Sequence, residues 1–168
     1  MSTSLPRYRY NLDGVLFYSE RKDNVFDGYV QMFRSGIVEA ACSDFLGEHE
    51  GERFIPSVSF EKDILATASY YLTLLGALEV EPPLALMLSL LDVRGVVMGV
   101  SREHYIGGHR RPPPIDRDSL ILPDVLVEDR SHDIGKLLRP TFDSIWNAAG
   151  WERSLNYDDK GNWRPHSR

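Results

Sequence analysis

Only two stretches of this chain carry apolar residues at helical spacing, and turn-forming residues divide the rest into short, strand-like segments. The first stretch lies between Ser57 and Leu75, and Pro82-Pro83 forbids its continuation. The second runs from about Asp133 to Ala149, and Gly150 follows it as a stop signal. This order of elements predicts an α+β fold, a mainly antiparallel sheet of about five to six strands with two principal helices packed on it.

The first helix is expected to begin with a side-chain cap from Ser57 or Ser59. Glu61 and Asp63 then place negative charge near its positive end, where the helix dipole favours it. The apolar side chains along it recur on one face, which predicts a core-facing stripe. The stripe consists of Phe60, Ile64, Ala68, Tyr71, Leu72 and Leu75.

The strands are predicted from aromatic, β-branched and aliphatic runs between turn signals. A strand at 8–18 is interrupted by Asp13-Gly14, and a charged loop follows over 19–28. A hairpin is expected around Ser35-Gly36, and a polar connection follows over 45–53. A covered central strand is predicted at 84–93, with a hairpin turn at Arg94-Gly95 that leads into a strand at 96–100. The last strand is predicted at 120–127, where Pro123 indicates an edge or a bulge.

The bulk properties indicate one domain. A length of 168 residues is typical of a single core, here assigned to 1–150, with an aromatic-containing C-terminal tail over 151–168. The formal net charge of −6 argues against broad electrostatic binding to nucleic acid or anionic membrane. The sequence shows no signal-peptide core and no membrane-spanning run, which predicts a cytoplasmic chain. The single cysteine, Cys42, lies in an apolar run and is expected to be a buried, inert thiol.

The run Asn11-Leu12-Asp13-Gly14 resembles the Asp-x-Asp-Gly signature of haloacid-dehalogenase-type phosphatases. Its nucleophile position holds Asn11, whose amide cannot form an aspartyl-phosphate. The sequence around it favours the simpler interpretation, an Asp-Gly turn or bulge.

Basic residues concentrate in the loop that precedes Pro112-Pro113-Pro114. Such a loop could hold a phosphate group or an acidic partner, and the alternative is a solvated surface loop. The tail carries Trp151, Tyr157 and Trp163, and aromatic side chains of that size usually dock on something. The candidate binding residues are therefore Arg102, His104, His109, Arg110, Arg111, Trp151 and Trp163.

Acidic residues surround the predicted strand at 120–127. With a neighbouring His132, carboxylates of this kind could hold a divalent metal, although no spacing among them matches a known site. The alternative is that they end a strand and cap the next helix. The candidate metal ligands are Asp116, Asp118, Glu128 and Asp129.

Several segments, taken in order, resemble the C-terminal region of bacterial Schlafen-type, AlbA-like putative DNA-binding or ATP-binding proteins. They are Arg9–Gly14, Tyr29–Glu39, Ile55–Glu61, Pro114–Asp118, Leu122-Pro123, Val127–Asp129, Trp146–Trp151 and Ser154–Tyr157. In those proteins an N-terminal domain is assigned the nucleic-acid or nucleotide role, and none of its functional residues can be carried over to this sequence. The resemblance implies an accessory domain.

The sequence therefore predicts a non-enzymatic regulatory or interaction domain that is associated with a nucleic-acid-handling protein partner or fused N-terminal domain. It requires no cofactor, and exposed strand edges would also support a homodimer. One alternative is a metal-dependent hydrolase or nuclease, which would gather several acids in one pocket. A second is a small-ligand sensor, which needs a closed apolar pocket, whereas an interaction domain should show an exposed apolar or aromatic patch.

Overall fold

The computed structural model describes residues 7–20, 26–100 and 113–165. These group into two compact units, Met1–Leu46 and Gly47–Arg168. The described residues form eleven strands and two helices, and all strand pairs except one are antiparallel. The predicted α+β class is confirmed, with more and shorter strands than expected. Neither helix in these ranges is long and apolar enough to cross a bilayer.

The first unit is a four-stranded antiparallel meander. Its strands are β1 (Arg7–Tyr10), β2 (Gly14–Glu20), β3 (Phe26–Phe33) and β4 (Val38–Cys42), paired in chain order. The predicted turn at Asp13-Gly14 is confirmed, since the side chain of Asn11 accepts a hydrogen bond from the Gly14 N–H (2.8 Å). The hairpin at Ser35-Gly36 is confirmed too, and Gly36 has a φ of 88°.

Two expectations for this unit are wrong. The loop predicted over 19–28 is shorter, because β2 continues to Glu20 and β3 already begins at Phe26; residues 21–25 lie outside the described ranges. Cys42 is exposed and not buried, because it ends an edge strand of the sheet.

The second unit begins with a hairpin that local composition concealed. Strands β5 (Gly47–His49) and β6 (Glu52–Pro56) pair across Glu50-Gly51, both with positive φ (52° and 79°). The sequence analysis assigned this region to a polar connection, because Glu is rare at such a turn position. Strand β6 also pairs in parallel with β9 (Val97–Gly99), the one parallel ladder.

The prediction of one covered central strand over 84–93 is wrong. The segment forms two short strands, β7 (Leu84–Leu86) and β8 (Ser89–Leu91), whose side chains alternate in exposure. The strand predicted at 120–127 is likewise divided, into β10 (Ser119–Ile121) and β11 (Val125–Val127) on either side of Pro123. Strand β10 pairs with β8 and β11 pairs with β7.

The turn at Arg94-Gly95 exists, but the hairpin predicted there does not. The Val96 N–H donates to the Val93 carbonyl (3.1 Å), and Gly95 has a φ of 80°. Beyond the turn, β9 pairs with β6 and not with β8.

Helix α1 (Ser57–Ala77) matches its predicted position, but its start differs. It begins after Pro56 without a side-chain cap, and the Ser59 hydroxyl donates to the Pro56 carbonyl (3.2 Å). Of the predicted stripe only Phe60 is buried, and the other members are half-buried.

Helix α2 (Ile134–Ala148) begins with a cap from Asp133, whose carboxylate accepts the Gly135 N–H (2.9 Å). Pro140 lies inside the helix without ending it, and Gly150 follows with a φ of 78°. Phe142, Ile145 and Trp146 project from α2 into the core of this unit.

Candidate functional site

The predicted binding loop falls outside the described part of the chain. Arg102, His104, His109, Arg110 and Arg111 all lie outside the described residues.

The two tail tryptophans contact the interior of the Gly47–Arg168 unit. Trp151 meets Trp146 edge to face, with ring centroids 5.7 Å apart and an interplanar angle of 82°. The indole N–H of Trp163 donates to Glu61 (2.8 Å). The tail aromatics therefore dock within the chain, as their size suggested.

Two of the four candidate metal ligands, Asp118 and Asp129, are each bound by a different part of the chain. Arg94 donates to both carboxylate oxygens of Asp118 (2.7 and 3.2 Å), which holds the pKa of Asp118 below its usual range. The Ser131 N–H donates to Asp129 (2.7 Å) and lowers the pKa of that carboxyl. Across the described parts of the chain, no three histidine, cysteine or acidic residues form a group that could hold a metal ion. Asp116, Asp118, Glu128 and Asp129 are thus not brought together there.

The most enclosed polar cluster centres on Glu61, in the second turn of α1. Its side chain is 1% exposed. One carboxylate oxygen accepts from the Trp146 indole and the Ser154 hydroxyl (2.7 Å each), and the other accepts from the Trp163 indole (2.8 Å). All three donors are neutral, so the carboxylate is hydrogen-bonded without a paired cation among them. We name these four residues the Glu61 cluster.

The Glu61 cluster joins three parts of the unit: α1, α2 and the tail. Two further hydrogen bonds join the tail to α2. The Ser154 N–H donates to Asp143 (2.8 Å), and the Tyr157 hydroxyl donates to the Gly135 carbonyl (2.7 Å). A carboxylate this enclosed cannot meet a substrate. Its position indicates a structural role, the attachment of the tail to the helices.

The pKa of Glu61 sets a pH dependence of stability. Burial raises this pKa more than the side chains of Ser154, Asn156 and the two tryptophans lower it. The folded chain therefore binds this proton more tightly than the unfolded chain. The resulting stability is complete below the ordinary glutamate pKa of about 4.3 and is lost as pH rises through the raised value. We expect the free energy of unfolding to fall with pH above ~4.3 for this reason.

Urea unfolding at a series of pH values tests this expectation, with Glu61→Gln as the reference. Asp118, Asp129 and Asp158 have lowered pKa values, so their contributions to stability change in the opposite direction with pH, and only below about pH 3.9. The two effects therefore occupy separate pH windows. Wild type gains stability as pH falls and Glu61→Gln does not, so the stability difference in favour of wild type should widen from pH 7 toward pH ~4.3. Equal pH slopes for the two chains above pH ~4.3 would contradict the assignment.

An open groove of about 540 Å³ lies beside β10 and the C-terminal half of α2. Ser144, Asn147 and Ala148 of the helix form part of one wall, and Leu120 and Ile121 of β10 form part of the other. The groove lies on the surface, whereas a small-ligand sensor would need a closed pocket.

The β1–β4 sheet has two chemically different faces. Because side chains alternate along each strand, the pairing register assigns every strand position to one face. The register of the four strands is regular except between Ser19 and Glu20. Among the regularly paired positions, one face of the sheet carries no charged residue. Its members are Tyr8, Tyr10, Val15, Phe17, Ser19, Gly28, Val30, Met32, Val38, Ala40 and Cys42. We call this surface the apolar face.

Aromatic side chains dominate the β1 side of the apolar face. Tyr8 is 64% exposed, Tyr10 75% and Phe17 37%. Tyr8 contacts Tyr10 and Phe17, with ring centroids 6.2 and 6.1 Å apart. Large aromatic surfaces left in water in this way are typical of contact sites.

The opposite face is polar and internally bonded. Arg7 and Arg9 lie on β1, the Tyr29 hydroxyl donates to Glu39 (2.5 Å), and the Asn11 amide donates to Gln31 (2.7 Å). The contrast makes the sheet amphipathic, the pattern of a sheet that buries one face against another structure.

The sequence analysis placed the contact surface at the basic loop and the tail, and it missed the apolar face. A signal was present, because Arg7-Tyr8-Arg9-Tyr10 alternates charged and aromatic residues. That alternation predicts a strand with one polar and one apolar side.

Comparisons of the chain with protein families, with curated proteins and with solved structures give no match.

Proposed function

We propose that this chain is a non-enzymatic interaction domain that acts in the cytoplasm with a nucleic-acid-handling partner of the Schlafen-type, AlbA-like class. The apolar face of the β1–β4 sheet is its contact surface. The observation that carries the proposal is the exposure of Tyr8, Tyr10 and Phe17 on a face without charged strand residues. The partner class comes from the sequence resemblance.

The composition of the apolar face supports contact with protein. Tyrosine, phenylalanine and methionine are enriched in protein–protein interfaces, and charged residues are depleted at their centres. The apolar face carries residues of these enriched types, namely Tyr8, Tyr10, Phe17 and Met32, and no charged residue lies at its assigned positions. Nucleic acid, by contrast, is bound through clustered basic residues, and this chain has 25 acidic against 19 basic residues.

The absence of a gathered acidic site in the described residues favours a binding role over metal-dependent hydrolysis. The one strongly enclosed carboxylate, Glu61, is occupied by hydrogen bonds from its own chain. Neither feature offers a reacting group to a substrate.

Lysine substitutions on the two faces of the sheet test the contact surface. Phe17 and Tyr29 are each 37% exposed but lie on opposite faces, and a lysine at 29 would lie near Glu39. We expect Phe17→Lys to weaken partner binding at least about tenfold, because a buried ammonium lacks a counter-charge at the interface. Tyr29→Lys should bind as wild type. The measurement is affinity capture from source cells, identification of the bound protein, and titration of that purified protein.

The partner class is tested separately. The captured protein should carry a nucleic-acid-handling domain, while the isolated chain should not change the anisotropy of a labelled single-stranded oligonucleotide at micromolar concentration. Equal capture by both lysine variants would reject the apolar face as the contact surface. Tight oligonucleotide binding by the isolated chain would reject the accessory role.

A further inference from the structure

The outer edge of β4 offers backbone groups in a defined pattern. At the two ends of the β3–β4 ladder, the Phe33 N–H donates to the Ile37 carbonyl (2.8 Å) and the Ser43 N–H to the Asp27 carbonyl (2.9 Å). In an antiparallel pair the residues alternate between those that bond to the partner strand and those that face away from it. The odd-numbered residues 37–43 therefore bond to β3, and Val38, Ala40 and Cys42 direct their N–H and C=O groups outward.

This edge is accessible in the described part of the molecule. No described strand pairs with β4 on its outer side, and residues 39–42 are all exposed. The β3–β4 register is regular from Val38 to Cys42, so no bulge turns the edge away.

Strand β4 also lacks the features by which proteins usually prevent edge pairing. Edge strands are commonly protected by lysine, proline, bulges or inward-pointing charge. Strand β4 has the sequence Val-Glu-Ala-Ala-Cys, with one charge, Glu39, which is hydrogen-bonded to Tyr29 on the polar face. The opposite edge, β1, is different, since it carries Arg7 and Arg9.

The edge is complementary to itself. If two copies of β4 run antiparallel with Ala40 opposite Ala40, then Val38 lies opposite Cys42 and all three outward-facing residues meet as hydrogen-bonded pairs. Each such pair exchanges two backbone hydrogen bonds. Glu39 then lies opposite Ala41, so that no two carboxylates oppose each other directly. The side chains of Val38, Ala40 and Cys42 belong to the apolar face, which would continue unbroken across the junction.

We propose that β4 pairs antiparallel with β4 of a second copy of this chain, about a two-fold axis at Ala40. The two four-stranded sheets then form one continuous eight-stranded sheet. Self-pairing of this kind is an isologous contact, in which each copy presents the same surface to the other. The inference concerns the edge of the sheet and does not depend on the proposed partner of the apolar face.

Cysteine cross-linking tests the register. In a hydrogen-bonded antiparallel pair the opposed Cα atoms lie about 5.5 Å apart, within the range of a disulfide. We expect Ala40→Cys, made together with Cys42→Ser, to form a covalent dimer under mild oxidation. Tyr10→Cys with Cys42→Ser, at the exposed edge strand β1, is the matched control and should remain monomeric. Wild-type Cys42 should also resist cross-linking. It lies two residues from Ala40, so the two Cys42 residues are offset by four residues along the strands, roughly 13 Å at the usual rise per residue.

Sedimentation of the purified chains gives the second measurement. Wild type should dimerise with increasing concentration, and Ala40→Asp should weaken the dimer at least tenfold, because two carboxylates would meet at the axis. Leu12→Asp, at a 91% exposed site in the β1–β2 turn, should behave as wild type. A wild-type chain that stays monomeric, or equal cross-linking rates for cysteines at 40 and 10, would overturn the proposal. Both experiments use the purified chain alone, so that their failure leaves the partner-capture result unaffected.

Discussion

Replacement of Glu61 by alanine should lower the free energy of unfolding by about 3–5 kcal/mol, because it removes the acceptor of three hydrogen bonds at once. Each buried donor left without a partner costs about 1–3 kcal/mol, and the Ser154 hydroxyl can rotate to recover part of its share. Urea unfolding at pH 7, followed by tryptophan fluorescence, measures the change.

Two substitutions on the same helix separate the acceptor from the loss of side-chain volume. Glu61→Gln keeps the shape and one acceptor oxygen, so we expect a smaller loss of about 1–2 kcal/mol. Asp63→Ala changes an exposed carboxylate two positions away and should shift stability by less than about 0.5 kcal/mol. If Glu61→Ala were no more damaging than Asp63→Ala, the Glu61 cluster would have no stabilising role.

Gly14→Ala should disrupt the β1–β4 sheet at a cost of about 2–5 kcal/mol. Gly14 has a φ of 154°, and a Cβ at this position would overlap the Met32 carbonyl oxygen of the adjacent strand. Because that oxygen belongs to the backbone of β3, it cannot move without breaking the β2–β3 register. Hydrogen exchange should show lost protection across β2 and β3.

Gly36→Ala is the matched control in the same sheet. Gly36 also has a positive φ, 88°, but nothing lies within 4 Å of the position that its Cβ would take. Only the backbone strain remains, about 1–2 kcal/mol. Equal losses for the two variants would show that conformation alone, and not overlap with Met32, makes glycine necessary at position 14.

Local signals predicted the positions of the two helices, the turn at Asp13-Gly14 and the hairpin at Ser35-Gly36. Helix α2 has an Asp133 cap and a Gly150 terminator, both of which act on neighbouring residues and can be identified from the sequence. The turns at Gly14 and Gly36 are local in the same sense. Strand pairing is not local, since β9 pairs with β6, more than forty residues earlier in the chain. Nothing in the apolar run at 84–93 indicates that β9 would pair with β6 and not with that run.

The candidate site shows the same division. The apolar face could have been found from the alternation at Arg7–Tyr10, since it depends only on strand period and register. The Glu61 cluster could not, because its donors lie 85, 93 and 102 residues further along the chain. From sequence alone, Glu61 resembles any acid near the start of a helix, where the dipole favours it.

The long spacing within the Glu61 cluster also fixes an order of events during synthesis. Helix α1 leaves the ribosome with a carboxylate whose indole and hydroxyl donors have not yet been translated. At 5–20 residues per second, roughly 5–20 s pass between the synthesis of Glu61 and that of Trp163. The described strands of the first unit are all synthesised before α1, whereas the hydrogen bonds of Glu61 cannot be complete until Trp163 emerges. A ribosome that stalls before codon 154 would therefore hold a nascent chain that lacks Ser154 and Trp163. In such a chain the Glu61 carboxylate must take hydrogen bonds from water or from a chaperone instead.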